Sequence, residues 1–259
     1  MEKKKVIDTF QRVEDKYRLT PDQAEEFLKR IRSHVEQDVF FRYTVHSIYY
    51  DTENCDLAVN GLEHPEYKFK LRVRGYNTVH GTDTVFLETK KKYGNIVYKK
   101  RFPLTADAAI DYLEYGIPHS DTSNTAQEID YRMKQGNLQA KTVITYDREC
   151  WSAAAESDVR ITFDRNIRYR LDDLSDFNDR GSERSLNAGW VMLEVKAMDR
   201  YPVWLVQVLS EMKLYRTSFS KYSSIYRDNF AAMSVTGRPL IHEIENNYSK
   251  ETKLCSLQY

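Results

Sequence analysis

The chain is poor in cysteine and has no long apolar run. Its 259 residues include three cysteines at wide spacing, Cys55, Cys150 and Cys255. An odd, scattered set indicates neither a disulfide framework nor a zinc site, and it favours a reducing, cytoplasmic location. No apolar stretch approaches the roughly 20 residues of a membrane-spanning helix, and no apolar region follows the charged start 1–5. We therefore expect no membrane span and no signal peptide.

A net charge is also missing. Lys+Arg and Asp+Glu both number 39, which gives a formal net charge of +0. A neutral chain has no general attraction to nucleic acid, so nucleic acid is not an expected partner and any anion site requires local clustering of cations. The length is sufficient for a real core, and neither an internal repeat nor a linker is present. We expect a single domain over 1–236 and a polar tail over 237–259.

The clearest local cluster of charge lies in the segment 67–76, where cations alternate with apolar residues. Because side chains on a strand alternate between its faces, the cations share one face. They are Lys68, Lys70, Arg72 and Arg74. Like charges in a row repel one another, so such a face is solvated, matched by carboxylates, or built to hold a polyanion.

The same pattern recurs along other predicted strands. The residues that share a charged face are Arg12, Glu14 and Lys16; Glu88, Lys90 and Lys92; Lys99 and Arg101; Tyr146 and Arg148; and Glu194 and Lys196. An open sheet would leave this face wet, whereas a sheet closed into a barrel would turn it into a polar tunnel. Cations in a tunnel match phosphate oxygens, and carboxylates among them can hold a divalent metal.

Helix signals separate the strands. Thr20, Pro21 and Gln23 supply an N-cap, a first-turn proline and a capping box. Further helices are predicted over 105–115, 125–135 (with Thr125 as its cap), 202–214 and 221–233. With eight or nine strands and short, hairpin-like connections, the pattern is α+β with antiparallel pairing.

Nine segments, in order from about residue 10 to 228, resemble the polyphosphate polymerase domain of the vacuolar transporter chaperone (VTC) family, within the triphosphate tunnel metalloenzyme superfamily. The segments are RVEDKY (12–17), SIYYDT (47–52), EHPEYKFKLRVR (63–74), FLETKK (86–91), YKKRF (98–102), YDR (146–148), RITFD (160–164), LEVK (193–196) and SFSKY (218–222). Each segment is weak evidence alone, but together they are specific and cover most of the chain.

The resemblance implies both a fold and a reaction. The fold would be a closed antiparallel eight-stranded β-barrel, the triphosphate tunnel, with helices packed outside. The reaction would transfer the γ-phosphate of ATP to a growing chain of inorganic polyphosphate and release ADP. The cofactor would be a divalent metal, Mn²⁺ or Mg²⁺. The oligomeric state cannot be inferred from the resemblance.

The resemblance also implies roles for individual residues. The residues that would line the tunnel and hold the reacting phosphates are Lys16, Arg72, Arg74, Lys90, Arg148, Arg160 and Lys221. Further substrate contacts would come from Lys70, Lys99, Lys100, Arg101, Tyr146 and Ser220, and which of Lys99 and Lys100 points inward stays open. Glu194 would bind the metal, and Glu14 and Glu88 are either further ligands or counter-ions to neighbouring cations.

Three alternatives stay open. A metal-dependent tripolyphosphatase or nucleoside triphosphatase would use the same fold, but those relatives carry a Glu-x-Glu-x-Lys signature, and here Arg12 stands in place of the first Glu. A cation there favours polymerase over hydrolase. A non-catalytic sensor of polyphosphate or nucleotides is the second alternative. The third is a structural sheet with a solvated charged face.

Overall fold

The computed structural model describes residues 12–63, 66–94, 96–119, 123–154 and 158–229. The predicted tail 237–259 lies outside these residues. The strands are β1 (Arg12–Leu19), β2 (Val35–Asp51), β3 (Tyr67–Tyr76), β4 (Thr84–Tyr93), β5 (Ile96–Thr105), β6 (Gln139–Ala153), β7 (Arg160–Arg170), β8 (Arg184–Ser185) and β9 (Val191–Met198). The helices are α1 (Pro21–Ile31), α2 (Asp56–Glu63), α3 (Ala106–Tyr115), α4 (Asn124–Gly136), α5 (Val203–Glu211) and α6 (Lys221–Asn229).

The strands form a single nine-stranded sheet in the order β1-β9-β7-β6-β2-β3-β4-β5, with β8 paired to β7. All of its ladders are antiparallel, as the sequence predicted. The register aligns the charged residues of neighbouring strands, so that Arg72 lies opposite Glu88 and Lys16 lies opposite Glu194. We call the face that carries these residues the inner face and the opposite face the outer face.

The predicted closed eight-stranded barrel is wrong, because the sheet is open. Closure would require β1 to pair with β5, and in the described segments β1 forms its only ladder with β9. The other edge of β1 is occupied by the chain before α6: Tyr17 bridges to Arg216, and Thr217 N–H donates to the Lys16 carbonyl at 2.8 Å. These contacts pair the middle of that edge with the chain before α6 instead of with β5.

The open sheet is nevertheless strongly curved. Six steps separate β1 from β4 in the strand order, which in a flat sheet corresponds to about 29 Å. Yet Lys90 Nζ of β4 lies 3.9 Å from Glu14 Oε1 of β1. The inner faces of β1 and β4 therefore face each other, and side chains from the two strands come into contact.

Apolar packing covers the outer face. Helices α3 and α4 bury Ala109 and Ile129 against Leu71 and Leu87, and α1 and α5 bury Phe27 and Leu205 against the strands at the other end of the sheet. On the inner face, α6 packs its Ile225 and Tyr226 into a third apolar cluster. Helix α2 adds Ala58 to the same cluster and contacts β3, and charged side chains occupy the part of the inner face that α2 and α6 leave uncovered.

The helix ends show which capping signals in the sequence correctly predicted where a helix starts or stops. The capping box of Thr20 and Gln23 is confirmed, and Gly116 ends α3 with a φ of 68°, a left-handed conformation that glycine adopts without a Cβ penalty. The N-cap of helix α4 is Ser123, whose side chain accepts a hydrogen bond from the backbone N–H of Ala126, so the prediction of Thr125 as its cap was wrong. Helix α2 was not predicted; Asp51 accepts bonds from the backbone N–H of Leu57 and Ala58 near its start.

We predict that Phe27→Ala lowers the free energy of unfolding by about 3–5 kcal/mol, because it leaves a cavity in a closely packed cluster. Phe27 is fully buried and meets Phe163 edge to face, with ring centroids 6.2 Å apart. Urea denaturation measures the change. Phe40→Ala is the matched control, since Phe40 is 72% exposed, and equal losses in the two variants would contradict this packing.

Candidate phosphate-binding site

One wall of the site is built around Arg72 on β3. Its guanidinium donates from Nε and Nη2 to Glu88 Oε2 at 2.9 and 2.7 Å, and from Nη1 to the Tyr49 hydroxyl at 2.8 Å. Glu88 is buried on β4, and its other oxygen lies 2.9 Å from Lys99 Nζ and 4.0 Å from Arg101. Burial works against the charge of Glu88, but Arg72, Arg74 and Lys99 outweigh it and lower its pKa to about 2. Glu88 is therefore an ionised centre that holds three cations.

Arg74 is a buried cation with neutral partners. It is 8% exposed, and it donates to the Ser47 hydroxyl and the Tyr146 hydroxyl, each at 3.3 Å. In the described part of the chain no carboxylate lies within ion-pair distance of it. A guanidinium in this setting is poorly neutralised, since burial of a charge normally requires a counter-charge.

The facing wall is built around Asp164 on β7, which is completely buried. Arg148 on β6 donates to both carboxylate oxygens at 2.6 and 2.8 Å, and Lys221 Nζ donates to Oδ2 at 2.7 Å. Burial opposes ionisation here too, but Arg148 and Lys221 outweigh it and lower the pKa of Asp164 to about 2. Lys221 also lies over the Tyr146 ring, 4.3 Å from its centroid. The first residue of α6 is thus anchored to the sheet.

Glu194 on β9 lies beside Asp164 and faces Lys196 at 2.5 Å and Arg148 at 3.7 Å. Burial opposes its charge, but Lys196, Arg148 and Lys16 hold the pKa of Glu194 well below its usual range. Glu14 of β1 is a diagonal neighbour of Glu194 across the β1–β9 ladder, in which Glu14 pairs with Lys196 and Lys16 pairs with Glu194. Of the three predicted metal ligands, the structure brings Glu14 and Glu194 together.

Two lysines at the centre of the site have neutral partners contributed by the chain before α6. Lys70 Nζ donates to Ser220 Oγ at 2.7 Å, and Lys16 Nζ donates to the Phe219 carbonyl at 2.9 Å. Burial, reinforced by neighbouring lysines, lowers the pKa of both ammonium groups, that of Lys70 to about 8. Tyr49 lies nearby, and although burial opposes ionisation, Arg72, Arg74 and Lys70 lower the pKa of its phenol to about 7.

The remaining predicted residues lie towards the margins. Lys90 contacts Glu14 at 3.9 Å, and Arg160 lies at 3.3 Å from Asp38, near the other end of its strand. Lys99 lies on the inner face opposite Lys90, whereas Lys100 lies on the outer face opposite Thr89 and contacts Glu128 of α4 at 3.4 Å. The structure thereby resolves the open choice between these lysines in favour of Lys99. The side chain of Arg12 lies outside the described residues.

Sequence reasoning missed Asp164, Tyr49, Ser47 and Lys196 as site residues. Asp164 could have been found, because it shares the strand face of Arg160 at a spacing of four. Tyr49 and Ser47 carried no such signal, since β2 places buried side chains on both of its faces.

Comparison with known proteins places the chain in a family. A family profile described as "VTC domain" matches residues 11–228, and the chain belongs to that family. Membership supports a role connected with polyphosphate or nucleotides, as an enzyme that acts on phosphate groups. None of the helices in the described residues has the length and apolar character needed to cross a bilayer.

Among solved structures, a candidate adenylate cyclase from Bacillus halodurans is similar, with 10% identity, a TM-score of 0.49, and coverage of 81% of this chain and 95% of that chain. A candidate adenylyl cyclase from Hippeastrum, described as having a dominant triphosphatase activity, has 11% identity, a TM-score of 0.49, and coverage of 84% and 95%. One from Vibrio parahaemolyticus has 16% identity, a TM-score of 0.45, and coverage of 83% and 97%.

The residues present fit a divalent metal only in part. No group of three or more His, Cys, Asp or Glu side chains gathers at one point within the described segments. Glu14 and Glu194 together offer the oxygen ligands that Mg²⁺ and Mn²⁺ prefer, and phosphate oxygens and water usually complete such a shell. Thr162 Oγ1, opposite Glu194 on β7, is buried with no hydrogen-bond partner among the described residues. Glu88 is surrounded by cations instead, which fits a counter-ion.

We predict that Asp164→Asn lowers the free energy of unfolding by about 3 kcal/mol at pH 7, because it leaves the buried Arg148 and Lys221 without their carboxylate. The folded-state pKa of Asp164, about 2, lies below the about 3.9 of an unfolded aspartate. Its stabilisation is therefore present above about pH 4 and is lost as the pH falls through about 2.

Urea denaturation of both proteins between pH 7 and pH 2 tests this. The difference between wild type and variant should narrow at the acid end, where the wild-type carboxyl also becomes neutral. Asp228→Asn, at a side chain that is 52% exposed, is the control and should change stability by less than about 0.5 kcal/mol. A difference independent of pH would contradict the ionised state of Asp164.

A second prediction concerns pH and anion binding. Because the pKa of Lys70 is about 8, this ammonium loses its proton as the pH rises through that value, and the site loses a positive charge. The affinity for tripolyphosphate should therefore fall more steeply between pH 7 and 9 in the wild type than in Lys70→Arg, whose guanidinium stays charged. Calorimetric titration measures both profiles, and superimposable profiles would show that Lys70 does not contact the anion.

Proposed function

We propose that this protein is an ATP-dependent polyphosphate polymerase, which transfers the γ-phosphate of ATP to inorganic polyphosphate and releases ADP. The observation that supports it most directly is the set of three inner-face cations, Lys16, Lys70 and Arg74, whose partners are hydroxyl or carbonyl oxygens. A chain of phosphates provides the missing negative charge along its whole length. A single small anion would neutralise only one or two of these groups.

The arrangement suits phosphoryl transfer, which asks a protein mainly for positioning and charge neutralisation. Arginine forks match phosphate oxygens in two parallel bonds, and such forks come from two strands, Arg72 and Arg74 from β3 and Arg148 from β6. Arg72 and Arg148 are fixed by Glu88 and Asp164. Their guanidinium planes are therefore held in place before the substrate binds, which reduces the cost of ordering them.

In the proposed reaction, an oxygen of the terminal phosphate of the chain attacks the γ-phosphorus of ATP. The bond from that phosphorus to the bridging oxygen of the β-phosphate breaks, and ADP leaves with the electron pair. No side-chain nucleophile is needed. The cations of the two walls hold donor and acceptor in line, and Lys221, Tyr146 and Ser220 reach the same space from α6, β6 and the chain before α6.

Glu14 and Glu194 are the residues that would hold the divalent metal, which when bound neutralises charge on the phosphates of ATP. Lys196, Arg148 and Lys16 keep Glu194 ionised, which is the state a metal ligand requires. Glu88 has no part in this assignment. Mn²⁺ and Mg²⁺ are both consistent with an all-oxygen ligand set.

We predict that purified protein, given ATP and Mn²⁺ or Mg²⁺, produces ADP and polyphosphate in equal phosphate equivalents. Lys221→Ala and Glu194→Ala should each lower the rate by at least about 100-fold, since each removes charge from the reacting region. ADP release and gel staining of polyphosphate are the measurements. Lys91→Gln, on the outer face against Glu128, is the control and should retain the rate.

Three results would contradict the proposal in different ways. Orthophosphate without polymer would indicate a hydrolase on this fold. Saturable binding of polyphosphate without turnover would indicate a sensor. Absence of both binding and turnover would indicate that the charged inner face is structural.

A further inference from the structure

The cations of the inner face continue beyond the site, towards the end of the β4–β5 hairpin. Three successive cross-strand rows lie on β3, β4 and β5: Arg72, Glu88 and Arg101; then Lys70, Lys90 and Lys99; then Lys68, Lys92 and Val97. Each row lies about 7 Å from the next, because two residues of a strand span that distance. The third row belongs to none of the residues assigned above to the reacting phosphates.

Carboxylates disappear along these rows. The first row contains Glu88. In the second row, Lys99 contacts Glu88 and Lys90 contacts Glu14 of β1. For Lys68 and Lys92, no ion pair occurs within the described part of the chain. Like charges directly opposite each other on neighbouring strands destabilise a sheet, so this pair costs the fold some stability.

The opposite face of the same strand shows the usual arrangement. Lys91 lies between Lys90 and Lys92 in sequence, points to the outer face, and contacts Glu128 of α4. Lys100 contacts the same carboxylate. Counter-charge is therefore supplied to the outer-face lysines of this hairpin and not to Lys68 and Lys92. Burial, with Lys92 as the second cause, lowers the pKa of the Lys68 ammonium.

We propose that Lys68 and Lys92 form a binding site for the part of a linear polyphosphate chain that lies beyond the reacting phosphates. The chain would leave the site along β3 and β4 and pass over these lysines at the hairpin end. This inference takes its substrate class from the proposed function. It adds the path by which the polymer would leave the site and a reason why the protein would bind long chains more tightly than short ones. A triphosphate, held at the first rows, would not reach this pair.

The test compares two ligands and two double variants by calorimetric titration. Wild type should bind long linear polyphosphate (about 60 phosphates, at equal concentration of chains) more tightly than tripolyphosphate. In Lys68→Gln/Lys92→Gln, the affinity for the long chain should fall about tenfold, the sum expected for two half-exposed ion pairs. The affinity for tripolyphosphate should stay within about twofold. The control Lys91→Gln/Lys134→Gln removes as many charges away from the inner face, from the outer face of β4 and from the exposed last turn of α4, and should change neither affinity.

The outcomes separate this inference from the proposed function. Equal binding of both ligands by wild type, or an undiminished long-chain preference in Lys68→Gln/Lys92→Gln, would overturn the inference and leave the polymerase proposal intact. Equal losses for both ligands would overturn it too, because the lysines would then act on the reacting end. Selective loss of long-chain affinity in a protein without turnover would support the inference while the polymerase proposal failed.

Discussion

The organisation of this protein depends on a shortage of carboxylates on the inner face of its sheet. Buried cations require counter-charge, and Glu88, Asp164 and Glu194 each serve several cations at once. Asp164 holds Arg148 and Lys221 together, so a single carboxyl joins β6, β7 and α6. Where this supply ends, Arg74, Lys70 and Lys16 are left with oxygens of neutral groups.

The same shortage explains the role of the chain before α6. Arg216 and Thr217 of this segment pair with Tyr17 and Lys16 at the edge of β1. The segment therefore occupies that edge and brings Phe219 and Ser220 into the charged space. Those two residues supply oxygens to Lys16 and Lys70, which otherwise face each other's charge. Opening of the sheet and partial neutralisation of its centre thus have one structural cause.

Much of this arrangement could be predicted from the alternation of residues, and some of it could not. The shared face of the four cations between Lys68 and Arg74 was predictable, because apolar residues alternate with them without a break. Asp164 lies four residues after Arg160 on the same strand, so the same alternation predicts that the two share a face. Which of Lys99 and Lys100 points to the inner face could not be predicted, because it depends on the register of the β4–β5 ladder. The open sheet was not predictable either, since it depends on contacts of an irregular segment with no periodic pattern.

A formal net charge of +0 is compatible with a cationic site because the charges are segregated by face. Glu128 neutralises Lys91 and Lys100 on the outer face, and Glu26 and Glu211 pair with Arg30 on the helices. These pairs are exposed or partly exposed and individually weak, but they keep the protein from presenting cations on all sides. In the proposed function, a polyanion would meet its least neutralised cations on the inner face, where burial strengthens each contact.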